Sequence, residues 1–143
     1  EIILPNNLEI IGSEACSSLK RLRAIKVPDS VQILDEWAFS SCINLEDIKL
    51  SNSLKSIGDR AFYGCYSLTK IVIPESIEEI GEGAFDECSN LKEVYCKAVI
   101  PPKVKWRSGS NHDLFKNNSS GRKIYVPYES VDAYKKAPLW VLF

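Results

Sequence analysis

Apolar residues recur along the chain at a constant period of 23, four times in succession without an insertion. The clearest column consists of Ile2, Ile25, Ile48, Ile71 and Val94. A second apolar column lies two positions further on, and the residue between the two columns varies, as Val72 does between Ile71 and Ile73. This alternation predicts a short β-strand in each repeat, with two inward side chains and one outward side chain.

The second half of each repeat has a different spacing. In the third repeat the apolar residues are Ala61, Phe62, Cys65 and Leu68, and these intervals of three and four positions favour a short helical turn. The period lies within the range of about 20 to 29 residues that leucine-rich repeats use, in which stacked coils supply the core together. The pattern therefore predicts an α/β repeat solenoid, a right-handed leucine-rich-repeat superhelix. Each coil would contain one short parallel strand, a turn and a short helix.

Six parallel strands follow from this reading, centred at residues 3, 26, 49, 72, 95 and 125. We interpret residues 1–143 as one domain with regular repeats over 1–96 and an irregular long coil over 97–123. Trp106 and Phe115 in the long coil are expected to fold against the stack. Residues 124–143 hold the last strand and a C-terminal cap. Because Glu1 is followed at once by a repeat strand, we expect the chain to be a fragment of a longer protein.

The cap can be outlined from its own residues. Ser130 is placed to N-cap a short helix with Val131 and Tyr134 on one face. Trp140 and Phe143 are expected to lie over the last coil, because the open end of a solenoid needs covering.

The repeat pattern Ile-x-x-Pro-x-Ser-Ile-x-x-Ile-Gly-x-x-Ala-Phe-x-x-Cys-x-x-Leu is clearest from Ile71 to Leu91. It resembles the BspA-like leucine-rich repeat of bacterial cell-surface proteins, and the tail from Ile124 to Pro127 with Trp140 resembles the terminal segment common in that family. The resemblance implies a secreted or surface-anchored protein that adheres to host or microbial partners. It thus implies a non-enzymatic binding module for a protein, such as a host-matrix or other surface protein, or for a glycan.

The net charge and the length of the apolar runs limit the classes of partner that the chain can have. Eighteen Lys and Arg against nineteen Asp and Glu give a formal net charge of −1, so no net field attracts nucleic acid or an anionic membrane. No apolar run approaches the roughly 18 residues that would span a bilayer. We expect no cofactor, no nucleic acid and no transmembrane segment in this chain.

The sequence has five cysteines and no Cys-x-x-Cys motif. Three of the cysteines, Cys42, Cys65 and Cys88, share one repeat column. An odd total and parallel side-chain directions argue against a disulfide framework. We predict free structural thiols, with Cys65 buried and unpaired. A redox or metal role is the alternative.

Two other classes of function stay open. The only histidine, His112, precedes Asp113 in the long coil, where a hydrolytic site would have to lie, although no nucleophile can be named. The chain could also serve as a spacer that extends a neighbouring domain.

The outward residues of successive strands stand side by side. They are Ile3, Lys26, Lys49, Val72, Tyr95 and Tyr125. This row becomes aromatic toward the C-terminus, and tyrosine is enriched where interfaces carry binding energy. We predict a partner surface at Val72, Tyr95 and Tyr125, with Lys49 and Lys70 at its margin.

Tyrosine and valine also suit outward strand positions for packing reasons alone. A second candidate surface is the return side of the coils, where aromatic and aliphatic residues occupy variable columns. These residues are Trp37, Ile43, Tyr63 and Tyr66.

Overall fold

The computed structural model describes residues 2–105, 114–138 and 140, in which the chain winds into stacked coils. The strands, in chain order, are β1 Ile10–Ile11, β2 Ala24–Lys26, β3 Ile33–Leu34, β4 Asp47–Lys49, β5 Ser56–Ile57, β6 Lys70–Ile73, β7 Glu79–Ile80, β8 Glu93–Cys96, β9 Lys103–Val104 and β10 Lys123–Tyr125. A 3₁₀ turn at Tyr128–Ser130 leads into helix α1, Val131–Lys136. The predicted parallel solenoid is therefore confirmed.

The strands predicted from the sequence form one side of the solenoid, here called the strand face. It consists of β2, β4, β6, β8 and β10, and the ladder is continuous within β2–β4 and within β6–β8–β10. Partners lie one coil apart, so Ile25 pairs with Ile48 and Ile71 pairs with Val94. Inward residues of β2, β4, β6 and β8 are buried and outward residues are accessible, as the alternation required. In β10 the inward Ile124 is half-buried.

The prediction of a strand centred at residue 3 is wrong, because residues 2–4 form no ladder. Ile3 is 84% exposed and Ile2 is 37% exposed, whereas Ile25 at the corresponding position of β2 is 6% exposed. This segment therefore buries little apolar surface that would hold it in strand geometry.

A second parallel sheet, which the sequence pattern did not predict, runs along another side. It is formed by the very short strands β1, β3, β5, β7 and β9. Ile11, Leu34, Ile57 and Ile80 point inward from it and are buried. The amide of Gly58 donates to the Leu34 carbonyl at 2.7 Å, one coil away.

The predicted return-side helix is replaced by turns, which corrects that part of the fold. The amide of Ala61 donates to the Gly58 carbonyl within its own turn, but the amide of Phe62 donates to Ala84 of the next coil at 2.8 Å. Arg60 and Gly64 also have φ of +51° and +68°, in the left-handed region, which a right-handed helix excludes. The return side thus uses alternate amides for bonds to the neighbouring coil.

Between these three sides lies a core of repeated columns. Phe39, Phe62, Phe85 and Phe115 stack in sequence with ring centroids 5.4 to 5.7 Å apart. Phe115 comes from the long coil and is 1% exposed, so the expectation that it folds against the stack is confirmed. Trp106 lies outside the described residues.

The start of the predicted irregular coil continues the solenoid. β9 pairs with β7, with Lys103 opposite Glu79, so this coil exceeds the regular period by a single position. The insertion falls in the corner loop 97–102, where Val99 and Ile100 are exposed.

The cap is built largely as expected. Tyr134 and Trp140 are buried; the Tyr134 hydroxyl donates to the Ala98 carbonyl at 2.8 Å, and the Trp140 indole donates to the Pro102 carbonyl at 3.1 Å. Ser130 directly precedes α1, but its side chain makes no capping hydrogen bond. As the last residue of the 3₁₀ turn it has φ −101° and ψ −5°, unlike the extended geometry of a usual N-cap. Phe143 lies outside the described residues.

The thiols are buried and free, which confirms the prediction for Cys65 and its column. The Cys65 thiol donates to the Phe39 carbonyl at 3.2 Å, and Cys42 and Cys88 make equivalent bonds at 3.1 and 3.0 Å. Each bond reaches the preceding coil. The column is therefore a row of weak donors that join neighbouring coils.

Two glycines of the same repeat column provide a test of coil packing. A Cβ at Gly81 would collide with the backbone of Asp59 and lie 2.5 Å from the Gly58 carbonyl carbon, whereas a Cβ at Gly12 would meet nothing within 4 Å. Gly81→Ala should lower the free energy of unfolding by about 1–3 kcal/mol. Gly12→Ala should change it by less than about 1 kcal/mol. Urea unfolding measures both; equal effects would contradict the close stacking at Gly81.

The burial of the thiols predicts slow chemical labelling. Iodoacetamide at neutral pH should modify Cys65 slowly in the native protein and rapidly in urea, because thiolate attack requires exposure. Peptide mass mapping after each reaction reads the difference. Rapid native labelling of Cys65, or a Cys42–Cys65 disulfide, would contradict the packing.

The same burial predicts a loss of stability in alkali. Burial raises the pKa of the Cys42 thiol to about 11 from its ordinary 9. The Cys88 thiol and burial raise the pKa of Cys65. Above pH 9 the unfolded thiols therefore lose protons that the folded ones keep, and the free energy of unfolding falls as pH rises. Urea unfolding between pH 8 and 10.5 should show this fall in the free energy of unfolding, and Cys42→Ala should reduce it. If the free energy of unfolding of that variant depends on pH as steeply as that of the parent chain, Cys42 does not contribute to the fall.

Candidate functional site

The strand face brings the predicted partner residues together. Val72, Tyr95 and Tyr125 occupy directly paired positions on β6, β8 and β10. The long coil between the two tyrosines thus returns to the stack in register. The three side chains form a row along the C-terminal half of the face.

The two tyrosines contact each other face to face. Their ring centroids lie 4.5 Å apart with an interplanar angle of 7°, and Tyr125 is 39% exposed. Partial desolvation, the Glu93 carboxylate and the Tyr125 phenol raise the pKa of Tyr95. The Tyr95 phenol therefore keeps its proton to a higher pH than an ordinary tyrosine, and its ring is held by its neighbour.

Charged residues border this row. Lys70, Glu93 and Lys123 pair across the same three strands, so their charges alternate along one margin. Lys49 is exposed on β4 and pairs with Lys26 on β2. The predicted marginal residues thus lie on the strand face, with an apolar row beside them.

Other exposed apolar residues escaped the sequence analysis. Tyr128 is 93% exposed just after β10, and Ile100 is 81% exposed in the corner loop after β8. Tyr128 lies three residues after the outward Tyr125, at the position that Asn52 and Glu75 fill in earlier coils. The change from a polar residue to tyrosine was the available signal there. Ile100 offers no such signal, because it lies five residues after Tyr95, where earlier coils have Leu54 and Ile77.

The return side offers a second aromatic group. Trp37 and Tyr63 meet edge to face at 5.6 Å, and the Arg60 guanidinium lies 5.2 Å from the Trp37 ring centroid. Trp37, Ile43 and Tyr63 are half-buried, while Tyr66 is 46% exposed. Much of this aromatic surface is thus already used in contacts within the coils.

A groove beside the second sheet contains several carboxylates, including Asp35, Asp59 and Glu79. Asp35 accepts the Glu36 amide at 2.9 Å, Asp59 accepts the Glu82 amide at 3.0 Å, and Glu79 pairs with Lys105 at 2.7 Å. Within the described ranges, no three His, Cys, Asp or Glu side chains are grouped to hold a metal ion. These carboxylates organise turns and a salt bridge.

His112 and Asp113, the residues considered for a hydrolytic site, lie outside the described residues. Among the helices that the structure describes, none is long and apolar enough to cross a membrane.

Coils of constant period with parallel strands and a phenylalanine stack define a leucine-rich-repeat solenoid. The model of the BspA type leucine-rich repeat region matches residues 1–105 in six copies, so the chain belongs to this family. No curated protein sequence matches the chain.

Solved structures with the same fold come from bacteria. A leucine-rich cell surface protein from Faecalibacterium prausnitzii A2-165 has 30% sequence identity and a TM-score of 0.69; the match covers 91% of this chain and 33% of that one. The T. pallidum leucine-rich repeat protein has 24% identity and a TM-score of 0.61, covering 90% of this chain and 50% of that one. A leucine-rich repeat protein from Bacteroides ovatus ATCC 8483 has 24% identity and a TM-score of 0.52, covering 91% and 40%. This chain thus spans between a third and a half of the length of these proteins.

Proposed function

We propose that this chain is a non-enzymatic binding module of a secreted or surface-anchored bacterial protein, and that it recognises a protein of the host matrix or of another cell surface. The observation that carries the proposal is the stacked pair Tyr95–Tyr125, in register with Val72 on the accessible side of the β6–β8–β10 sheet. The cell-surface description of the F. prausnitzii neighbour supports the location.

The geometry suits a protein interface. Val72 and the two tyrosines form an apolar centre, and Lys49, Lys70 and Glu93 supply a charged margin, which is the usual arrangement of core and rim. The mutual contact of the rings also restricts their rotamers before a partner arrives. Less conformational entropy is then lost on binding.

The proposal of a non-enzymatic role rests on the structural roles of the repeated residues. The constant spacing serves stacking at every column, and the carboxylates nearest a groove already accept local hydrogen bonds. A spacer function and hydrolysis at His112 and Asp113 are the competing hypotheses.

Screening the immobilised chain against host-matrix proteins and glycans tests the proposal. For a partner found in this way, Tyr95→Ala and Tyr125→Ala should each weaken binding by more than about 1 kcal/mol, roughly fivefold. Loss of the ring stack should cost about 0.5–1.5 kcal/mol of folding stability, so both variants should remain folded. Titration calorimetry and urea unfolding provide the two measurements.

Tyr66→Ala is the matched control, because it removes an exposed tyrosine from the return side. It should bind like the parent chain. If Tyr66→Ala loses binding while both strand-face variants keep it, the return side is the partner surface. If nothing in the panel binds, the spacer function is favoured, and turnover abolished by His112→Ala would establish an enzyme.

A further inference from the structure

The last face strand, β10, has a partner on one edge alone within the described part of the chain. It pairs with β8, and the Lys123 amide donates to the Lys92 carbonyl at 2.8 Å. In a parallel ladder the N–H and C=O of one residue point to the same side, and those of its neighbours point to the other. The backbone groups of Ile124 therefore face away from β8. Such an edge is a template for another strand.

The cap leaves the apolar end of the last coil partly open along this edge. Ile124 and Val126 are half-buried, whereas the equivalent Ile71 and Ile73 are 1% and 0% exposed. A groove runs beside β10, with Ile124 and Val126 on one wall. Val131, Tyr134 and Trp140 of the cap form the other wall.

Charge distinguishes the segments that this edge would accept. Residues 114–138 and 140 carry five cationic side chains and two carboxylates, a net charge of +3, although the whole chain has −1. Lys123 lies on β10 itself, and Lys135 of α1 lines the groove. An acidic segment is therefore favoured over a basic one.

We propose that β10 accepts one strand from a partner protein, an extended acidic segment whose aliphatic side chains alternate with its carboxylates. Its backbone pairs with Ile124, its aliphatic side chains enter the groove against Val131 and Trp140, and its carboxylates face Lys123 and Lys135. Strand addition of this kind takes affinity from main-chain hydrogen bonds and specificity from alternate side chains. The site is the backbone edge of β10, whereas the surface proposed above is the row of outward side chains on the same strand face.

A designed peptide tests the site directly. The probe is a fluorescein-labelled hexapeptide that alternates Val with Glu, titrated with the full chain and followed by fluorescence anisotropy. We expect saturable binding that weakens at least about tenfold when Lys replaces every Glu. N-methylation can be placed on either of the two alternating sets of peptide amides. Methylation of the set that faces Ile124 should also lower the affinity at least about tenfold, because those amides no longer donate hydrogen bonds.

Paired variants on α1 separate the groove from its surroundings. Val131→Lys places a charge in the groove and should lower the affinity for the Val-Glu peptide at least about tenfold. Ala133→Lys, at an exposed position of the same helix, should leave that affinity unchanged. Lys135→Glu should weaken it more than Lys136→Glu, which makes the same charge change outside the groove lining. Circular dichroism and urea unfolding confirm that each variant is folded.

The outcomes also distinguish this site from the strand face. Tyr95→Ala should leave peptide binding unchanged, since Tyr95 lies on β8 and not on the edge strand. Absence of peptide binding, equal affinity of the peptides N-methylated on either set of amides, or parental affinity in a folded Val131→Lys variant would each overturn the proposal.

Discussion

Backbone hydrogen bonding between consecutive coils is the constraint on which the rest of this structure depends. It operates on three sides of the solenoid, through the strand face, the second sheet and the return turns, as at Phe62, whose amide bonds Ala84. In the regular coils each bond joins residues about one period apart, so an insertion within a strand or a return turn would shift the ladders. The single extra position before β9 is tolerated because it lies in the corner loop at Val99 and Ile100, between two ladders.

Because of this constraint, equivalent residues of successive coils stack into columns. Flat rings stack at the Phe39–Phe62–Phe85 positions, and small thiols fit beside them while bonding carbonyls of the preceding coil. Because neighbouring coils approach so closely, even one methyl group at Gly81 has no space. The core is therefore specified by coil-to-coil distance as much as by hydrophobicity.

Residues that point outward escape this constraint, and there the coils differ from one another. The strand face changes from lysine at Lys26 and Lys49 to Val72 and then to stacked tyrosines. The C-terminal end also carries a positive charge and an incompletely covered strand edge. Both proposed interaction surfaces thus lie at the same end of the solenoid, where a rigid scaffold meets residues that packing does not dictate.

The sequence by itself determined the solenoid, five of the strand-face strands, the buried thiols and the row containing Val72 and Tyr95. A constant period is a one-dimensional signal, and stacking requires equivalent positions to meet. Only the tertiary structure decided the rest. The strands of the second sheet are too short to show alternation, and Arg60 and Gly64 form turns because alternate amides bond the next coil. The Tyr95–Tyr125 stack depended on whether the long coil returns to its ladder, which is set by pairing across coils and not by the residues of either strand.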